Sequence, residues 1–467
     1  MSAYNPITSG IINKLAGIVG KSNLQIGAAI SSEYSYDAGT IAEPKYPDLV
    51  IFPGTTQEVA AILKIANSAL IPVTPRGGGT GLAGGSVAIH GGIVIDLQRM
   101  NRILHINPSA HYMIVEPAAQ TIDIQQAAHQ HGLLYAGDPC SSDHCVIAGN
   151  IATNAGGNRA VKYGVTADQI YELELVTPQG DIVTIGGRLK KNSTGYNLIH
   201  LIAGSEGTLA IITKATLKLQ PLPPLIANYL LVFSDLNSAI NAVNPILNEP
   251  IDLVSLELMD HETMLAIQRY QQQQLFPGQS GDSLLIQLAA ISSAELEAAV
   301  QRLTAILATS RCITLTAVDG DQLWQGRRIW GKAIQVDHPV VFAEDIVVPI
   351  DAIEQLVNQL HRLTIKFGFQ FRIAGHAGDG NMHLRVLPGS VSLENWSDSV
   401  HKFRQELYAI AYQLGGRLSG EHGIGSKRKG YLKQYINPTE LMLLKNIKQA
   451  FDPNYILNPG KIFDNHD

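Results

Sequence analysis

The segment RIAGHAGDGNMHLR, residues 372–385, sets two imidazoles, His376 and His383, at either end of Ala-Gly-Asp-Gly-Asn-Met. Imidazole both ligates divalent cations and exchanges protons near neutral pH, so what the pair can do depends on how the chain brings it together. A helix would place residues at this spacing on one face. Gly378, Asp379, Gly380 and Asn381, however, are turn formers and poor helix residues. The segment reads as strand, tight turn, strand, with the imidazoles meeting across the turn; Asp379 would stabilise that turn and Asn381 could hydrogen-bond a substrate. A third ligand is offered by LSGEHGIGSKRKGYL (418–432), where Glu421 and His422 lie between Gly420 and Gly423. Two imidazoles and a carboxylate with open positions suit a catalytic divalent cation. The expected ligands are His376, His383 and Glu421. Taken singly, each histidine also fits a purely structural role.

Elements that position these residues are readable around them. VVFAEDIVVP reads as a strand, and DAIEQLVNQLHRLTIKFG as a helix with Asp351 and Glu354 at capping-box spacing and Gly368 closing it. FQFRIAG is a strand running into His376, and MHLRVLP a strand leaving the turn. Val400, Phe403, Leu407, Ile410 and Leu414 recur at helical spacing in SVHKFRQELYAIAYQLGG, which Gly415 ends. Upstream, DLVIFP, TTQEVAAILKIANSA and LIPVTP predict strand, Thr-capped helix, strand over 48–75. Further strands follow at GGIVIDL, YMIVEP, YELELVTP, DIVTIG and LAIITKATLKL, separated by Gly and Pro turns. LQPLPP (219–224) reads as a linker. The fold class is α+β, in three regions: 1–222, 223–395 and a helical 396–467.

Glycine clusters mark the first region. PRGGGTGLAGGS (75–86) contains Gly79-x-Gly81-x-x-Gly84, a formal match to the dinucleotide fingerprint. That fingerprint needs a helix to follow it, and SVAIHGGIVIDL reads as β. What remains is a run of backbone N–H groups able to wrap a diphosphate, or else a plain glycine loop. GDPCSSDHCVIAGNIATNAGGNRAVKYG (137–164) is small throughout, as a backbone pressed against a flat ligand requires, and AGSEGTLAIIT (203–213) is a small-residue turn entering a strand. Cys140 and Cys145 read as packing cysteines.

The order and spacing of these three stretches resemble the FAD-binding domain of the vanillyl-alcohol oxidase superfamily, the PCMH-type fold. The resemblance implies a two-part FAD-binding domain over 1–222. From the first stretch, Pro75, Arg76, Gly77, Gly78, Gly79, Thr80, Gly81, Gly84, Gly85 and Ser86 would lie at the FAD pyrophosphate. From the later two, Pro139, Gly149, Asn150, Thr153, Ala155, Gly156, Gly157, Tyr163 and Gly164, then Glu206, Gly207 and Ile211, would line adenine and isoalloxazine. Thr80 stands where some relatives carry a histidine bonded to the flavin, so non-covalent FAD is expected.

HAGDGNMH and GEHGIG in turn resemble the D-2-hydroxyacid dehydrogenase branch, which includes D-lactate dehydrogenases, glycolate oxidase catalytic subunits and D-2-hydroxyglutarate dehydrogenases. This resemblance gives the ion, zinc first with iron or manganese as alternatives, to His376, His383 and Glu421, makes His422 the base, and makes Arg327 of LWQGR the grip on the substrate carboxylate. Asn458, in FDPNYILNPGKIF, would return to the flavin, so the 223–395 region becomes an α+β substrate (cap) domain and 396–467 completes the site. The expected reaction is oxidation of a D-2-hydroxy acid, D-lactate first, to the 2-oxo acid; glycolate oxidation by a catalytic subunit is the alternative. Ala343-Glu344-Asp345 stands where hydroxyglutarate enzymes carry a lysine for the distal carboxylate, which lowers the expectation of a dicarboxylic substrate.

Bulk properties constrain partners. The 467 residues exceed one ordinary core, and 45% hydrophobic with 16% charged residues fits large globular cores. A net charge of −6 argues against nucleic acid, and Lys427-Arg428-Lys429 reads as a solvated loop. Three cysteines cannot frame a disulfide scaffold, so a reducing, cytoplasmic setting is expected. No apolar run is long enough to span a membrane, and the N-terminus lacks the pattern of a signal peptide. With no four-cysteine cluster motif or haem motif, electrons must leave to a partner: an electron-transfer flavoprotein, an iron–sulfur subunit or a quinone. Homo- or hetero-oligomerisation is compatible with this. A non-catalytic flavin-carrying subunit and a metal-dependent hydrolase are competing readings. The former leaves the C-terminal ligands without a use, and the latter leaves the glycine loops without one.

Overall fold

Apolar runs that are continuous rather than alternating belong in strands covered on both faces. Leu49, Val50 and Ile51, like Ile93, Val94 and Ile95, are all fully buried in the computed structural model, which describes residues 4–39, 44–273 and 281–464. Leu49–Ile51, Ile93–Asp96 and Val73–Arg76 pair in parallel, with Leu24–Ile26 antiparallel at the edge. The crossover helix Thr56–Ala69 begins at Thr55, whose hydroxyl accepts from Glu58 N at 3.2 Å. After Val73–Arg76 the glycine stretch leads to the strand Ile93–Asp96 with no helix between them. A five-stranded antiparallel sheet follows, ordered Ile103–Asn107, Tyr112–Val115, Ile211–Lys218, Ile170–Val176, Ile182–Gly186.

The described residues fall into two compact units. One comprises Met1–Ala155, Val165–Leu222 and His422–Asp467; the other comprises Gly156–Gly164 and Pro223–Glu421. The chain thus changes unit at Leu222–Pro223 and again at Glu421–His422. Gly156–Gly164 joins the second unit because its short helix Ala160–Tyr163 packs on the strand Leu253–Met259, with Lys162 paired to Asp252.

The second unit is built on a seven-stranded antiparallel sheet. Its order is Cys312–Val318, Leu225–Phe233, Asp282–Ala290, Leu253–Met259, Gln370–His376, Asn381–Leu387, Phe342–Val347. Side chains alternate across a sheet, and the register (Met259 opposite Ala374, Ala374 opposite His383, His383 opposite Asp345) puts chemically active residues on one face. Glu257, Arg372, His376, Asn381, His383, Arg385 and Asp345 share it. The helices His261–Gln271 and Gly320–Asp337 cover that face through Met264, Ile267, Leu323, Trp330 and Ile334. On the opposite face Phe342, Phe369, Phe403 and Trp396 stack edge to face, and Glu344 pairs with Arg404 and Tyr408 of the helix Trp396–Gln413.

Two local expectations are corrected. Asp351 and Glu354 form no capping box: the chain leaves Pro349 through the 3-10 turn Ile350–Ala352, which absorbs Asp351, and the helix Ile353–Phe367 starts from Ala352 without a side-chain cap. Gly368 does close that helix, at φ 68°. Lys427-Arg428-Lys429 is not a solvated loop. Lys427 donates to Leu82 O at 2.8 Å, buried Arg428 donates to Gly423 O at 3.1 Å, and Lys429 pairs with Asp464. Carbonyls in the glycine-rich turns need donors, and Lys427 and Arg428 supply them. Cys140, Cys145 and Cys312 are free thiols, with buried Cys145 at 3.2 Å from the Thr121 hydroxyl. Among the described residues no helix is long and apolar enough to cross a membrane.

The Tyr408 hydroxyl donates to Glu344 Oε2 at 2.6 Å, and both residues are about 1% exposed. Tyr408→Phe removes a donor from a buried carboxylate oxygen and is expected to destabilise the second unit by about 1–3 kcal/mol. A shift of the urea midpoint reads this out; an unchanged midpoint would show that Arg404 alone satisfies Glu344.

Candidate active site

The strands Gln370–His376 and Asn381–Leu387 form the hairpin expected from the sequence, and its turn brings the imidazole centroids of His376 and His383 to 5.2 Å. Asp379 Oδ1 accepts from Asn381 N at 3.1 Å, which locks the turn. Burial pushes the Asp379 carboxyl up to about 6, against the pull of His376. Glu421 completes the group: its Oε1 lies 3.2 Å from His383 Nε2 and 3.7 Å from His376 Nε2. All three expected ligands therefore present atoms within 4.8 Å of one another, inside the second unit.

Their far sides are held as well. His376 Nδ1 is 2.7 Å from Glu257 Oε1, a bond that needs the hydrogen on Nδ1 because a carboxylate only accepts. In the neutral ring this makes Nε2 the lone-pair nitrogen, and Nε2 is buried with no hydrogen-bond partner; an arriving cation would displace the proton that the neighbouring acids favour there. His383 Nδ1 faces Asp345 Oδ1 at 3.7 Å. A buried, orphaned imidazole nitrogen aimed at a carboxylate, with both rings backed by acids, is a donor set that fits a divalent cation. Burial opposes charge on His376, yet Glu257 and Glu421 hold its pKa well above the usual imidazole range. Burial likewise opposes charge on Glu421, and the two histidines hold it well below the carboxylate range.

Arg327 comes from the helix Gly320–Asp337 and is wholly buried, with Nε and Nη2 each 2.9 Å from Glu257 Oε2. One carboxylate thus joins the arginine to His376. Asn381 is brought to the site, but its amide donates to Asp345 Oδ1 at 2.7 Å and Ile346 O at 3.1 Å. Its two hydrogens therefore go to Asp345 and to the Ile346 carbonyl, and leave only Oδ1 to offer a substrate. Asp345 Oδ2 accepts from Ser419 Oγ and from the backbone of Gly420 and Glu421, at 2.7, 3.0 and 3.1 Å. Gly420 is obligatory because a Cβ there would overlap the Asn381 amide. Sequence reasoning missed Glu257 and the clamping role of Asp345. The available signal was a lone carboxylate inside the apolar run LVSLELM and an adjacent Glu-Asp pair inside the apolar run VVFAEDIVVP.

Gly156, expected at the flavin, lies in this same unit. A Cβ on it would come within 3.1 Å of Glu421 Oε2. Val161 is as close to Gly378 of the histidine turn, where a Cβ would meet it at 2.6 Å. Gly157, Tyr163 and Gly164 accompany Gly156. His422 follows Glu421 by one peptide bond and opens the last stretch of the first unit.

In the first unit the glycine loop is shaped for close approach. Gly79 has φ 67°, and a Cβ on Gly77 or Gly78 would press on Val146 or on His144 O. Arg76 folds inward, donating to Glu33 O, Tyr36 O and Ser86 Oγ at 3.0–3.3 Å. The Asn150 amide donates to Thr121 Oγ1 at 2.7 Å, Ile211 is core, and Gly207 packs on Pro75. Pro75, Gly77, Thr80, Gly85, Ser86, Gly149, Thr153 and Ala155 are partly exposed, Gly78 and Gly81 are exposed, and Pro139 is buried with its carbonyl accepting from Ser142 N at 2.9 Å. Glu206 accepts from Ile424 N and Gly425 N at 2.7 Å, so its carboxylate ties down the C-terminal return. Asn458 donates to Gly85 O and Glu206 O at 3.0 and 2.7 Å, while its Oδ1 is buried without a partner. A flexed glycine loop beside an unsatisfied amide oxygen fits a ligand with polar ring edges such as FAD.

Two substitutions test the cation site. Glu257→Gln keeps the shape but removes the charge behind His376, and is expected to weaken zinc binding by about 10–100-fold in calorimetric titration. Gly156→Ala forces Glu421 to shift by a few tenths of an ångström; undiminished ion affinity in this variant would separate Gly156 from the ligand group.

Residues 222–462 match the family described as FAD linked oxidases, C-terminal domain, and residues 47–186 match an FAD binding domain. The chain is 34% identical to a D-lactate dehydrogenase of Anaerostipes hadrus, over 98% of each chain. It is also 34% identical to glycolate oxidase subunit GlcD of Bacillus subtilis (strain 168), over 98% of this chain and 97% of that one. The fold matches p-cresol methylhydroxylase with substrate bound at a TM-score of 0.79 and 18% identity, covering 99% of both chains, which makes the architecture PCMH-type α+β. The chain therefore belongs to the FAD-linked oxidases, as an oxidoreductase of the D-lactate dehydrogenase and glycolate oxidase type.

Proposed function

We propose that this protein oxidises a D-2-hydroxy acid, D-lactate foremost, to the 2-oxo acid, using non-covalent FAD and one divalent cation. The observation that carries the reading is the approach of Gly156 to Glu421: a segment of the flavin-binding type backs onto a carboxylate of the cation group. When bound, FAD supplies a hydride acceptor and the cation supplies Lewis acidity toward a hydroxyl. His376, His383 and Glu421 would hold the ion, zinc by preference, with iron or manganese also suited to nitrogen and oxygen donors. The chain does the rest. Glu257 keeps His376 in the tautomer that exposes Nε2 and fixes Arg327, whose cation attracts the substrate carboxylate. His422 takes the hydroxyl proton, and Asn381 keeps Asp345 turned to the Ser419–Glu421 backbone so that Glu421 stays in place. Non-covalent binding is supported by Thr80 in the first loop, and Asn458 offers its Oδ1 to the flavin.

With three cysteines in the chain, electrons pass to a separate acceptor: an electron-transfer flavoprotein, an iron–sulfur subunit or a quinone. Glycolate oxidation is the second reading, supported by equal identity to the GlcD subunit. In anaerobic stopped-flow, D-lactate is expected to bleach the flavin, L-lactate to do so poorly, and chelator to suppress the bleaching. His422→Ala should retain FAD yet slow bleaching by about 10²–10⁴-fold. Bleaching at the wild-type rate would remove His422 from the reaction.

A further inference from the structure

The sheet face that carries Glu257 changes character along its strands. Leu230 and Leu285 lie opposite each other, Leu285 lies opposite Glu257, and both leucines pack in the apolar layer under the helix Gly320–Asp337. Two places further along, on the same face, the row reads Asn228, Gln287, Ser255, again directly opposite one another. Such neighbours have Cβ atoms about 5 Å apart. The covering helix meets this row through Trp324, which precedes Arg327 by three residues and shares its helix face. The Trp324 indole donates to Asn228 Oδ1 at 2.8 Å, and Gln287 Nε2 donates to the same oxygen at 2.9 Å. A neutral polar row thus runs beside the arginine that Glu257 holds.

The row is short of partners. Gln287 is 6% exposed, and its Oε1 is buried with no hydrogen bond. Ser255 is 1% exposed, and its hydroxyl makes no hydrogen bond among the described residues. Asn228 Nδ2 lacks an acceptor among them too, and it lies so close to Gly320 that a Cβ there would overlap it. The need of the Trp324 indole for an acceptor explains Asn228 Oδ1 and nothing else in the row. A leucine in place of Gln287 would continue the layer of Leu230 and Leu285, whereas a buried polar atom left unpaired is costly. The open groups are an acceptor, a donor and a hydroxyl, all uncharged. An alkyl tail satisfies none of them and a carboxylate only the donors; hydroxyl groups, which donate and accept at once, satisfy all three.

We infer that Ser255, Gln287 and Asn228 bind hydroxyl groups on the tail of the substrate, extending the substrate class to D-2-hydroxy acids that carry further hydroxyls at C3 and C4. This rests on the 2-hydroxy acid reading above and deepens it, with Arg327 holding the carboxylate end. A site built to pair a hydroxyl rejects the analogue lacking it, because its own polar groups then stay unpaired. The test uses FAD- and zinc-loaded wild type, Gln287→Met and Ser255→Ala. Anaerobic flavin reduction compares D-erythronate with D-2-hydroxybutyrate, which has the same carbon chain without the outer hydroxyls, and D-lactate is run beside them. Calorimetry on enzyme whose flavin is already reduced compares binding of the same two acids without turnover. The wild type is expected to favour D-erythronate. Gln287→Met should lower the erythronate-to-hydroxybutyrate ratio of kcat/KM by about 10–100-fold, carried by KM, and Ser255→Ala should lower it by less. The ratio compares two acids on the same folded protein, so a loss of folded material does not move it. An unchanged ratio in Gln287→Met overturns the inference, while bleaching by D-lactate leaves the 2-hydroxy acid reading standing. If no acid reduces the flavin, that reading falls, and calorimetry still decides on the polar row: a preference for D-erythronate that vanishes in Gln287→Met supports it, and equal affinity of the wild type for both acids overturns it.

Discussion

Glu421 is a carboxylate held out of water against two imidazoles, and most of the second unit is arranged so that this charge is tolerable. Burying a carboxylate without compensation costs far more than a single contact returns. His376 and His383 answer it from one side at 3.7 and 3.2 Å, and each imidazole is answered in turn by Glu257 or Asp345. Arg327 balances Glu257, and Asn381, Ser419 and two backbone amides balance Asp345. The result is an alternation of acids and bases spread over four strands, one helix and the segment ending at Glu421. Removing any one member leaves its neighbours with unmatched charge.

That alternation explains why the sheet takes its particular register. Shifting the hairpin by one residue would turn both histidines to the face of the helix Trp396–Gln413 and put Leu384 under the helix Gly320–Asp337. The apolar contacts of Trp330, Leu323 and Ile334 therefore protect the polar chemistry as well as stabilising the sheet.

The first unit solves a comparable problem with different parts. Glu206, at φ 53° and 8% exposed, has its carboxylate bonded by Ile424 N and Gly425 N. Burial pushes it up and pushes Lys461 down to about 7, each opposed by the other's charge. Lys461 donates to Val87 O, and Asn458 spans Gly85 and Glu206. The last stretch of chain is thus fastened to the same glycine loops that give the unit its ligand-binding form.

Much of this was legible in the residues themselves. The strand–turn–strand reading of 372–385 followed from Gly378, Asp379, Gly380 and Asn381 as helix breakers, and the grouping of His376, His383 and Glu421 from residue type and setting. The rejection of a dinucleotide helix after Gly84 followed from the β pattern of GGIVIDL. These are local properties, fixed by backbone preference and side-chain chemistry over a few neighbours. Tertiary structure alone decided which carboxylates stand behind the histidines, because Glu257 is distant in sequence and reaches His376 only through strand order. The same holds for the membership of Gly156–Gly164 in the second unit and for the burial of Arg428. Pairing between remote strands and the matching of buried charges are properties of the assembled sheet, and no window of sequence contains both halves of such a pair.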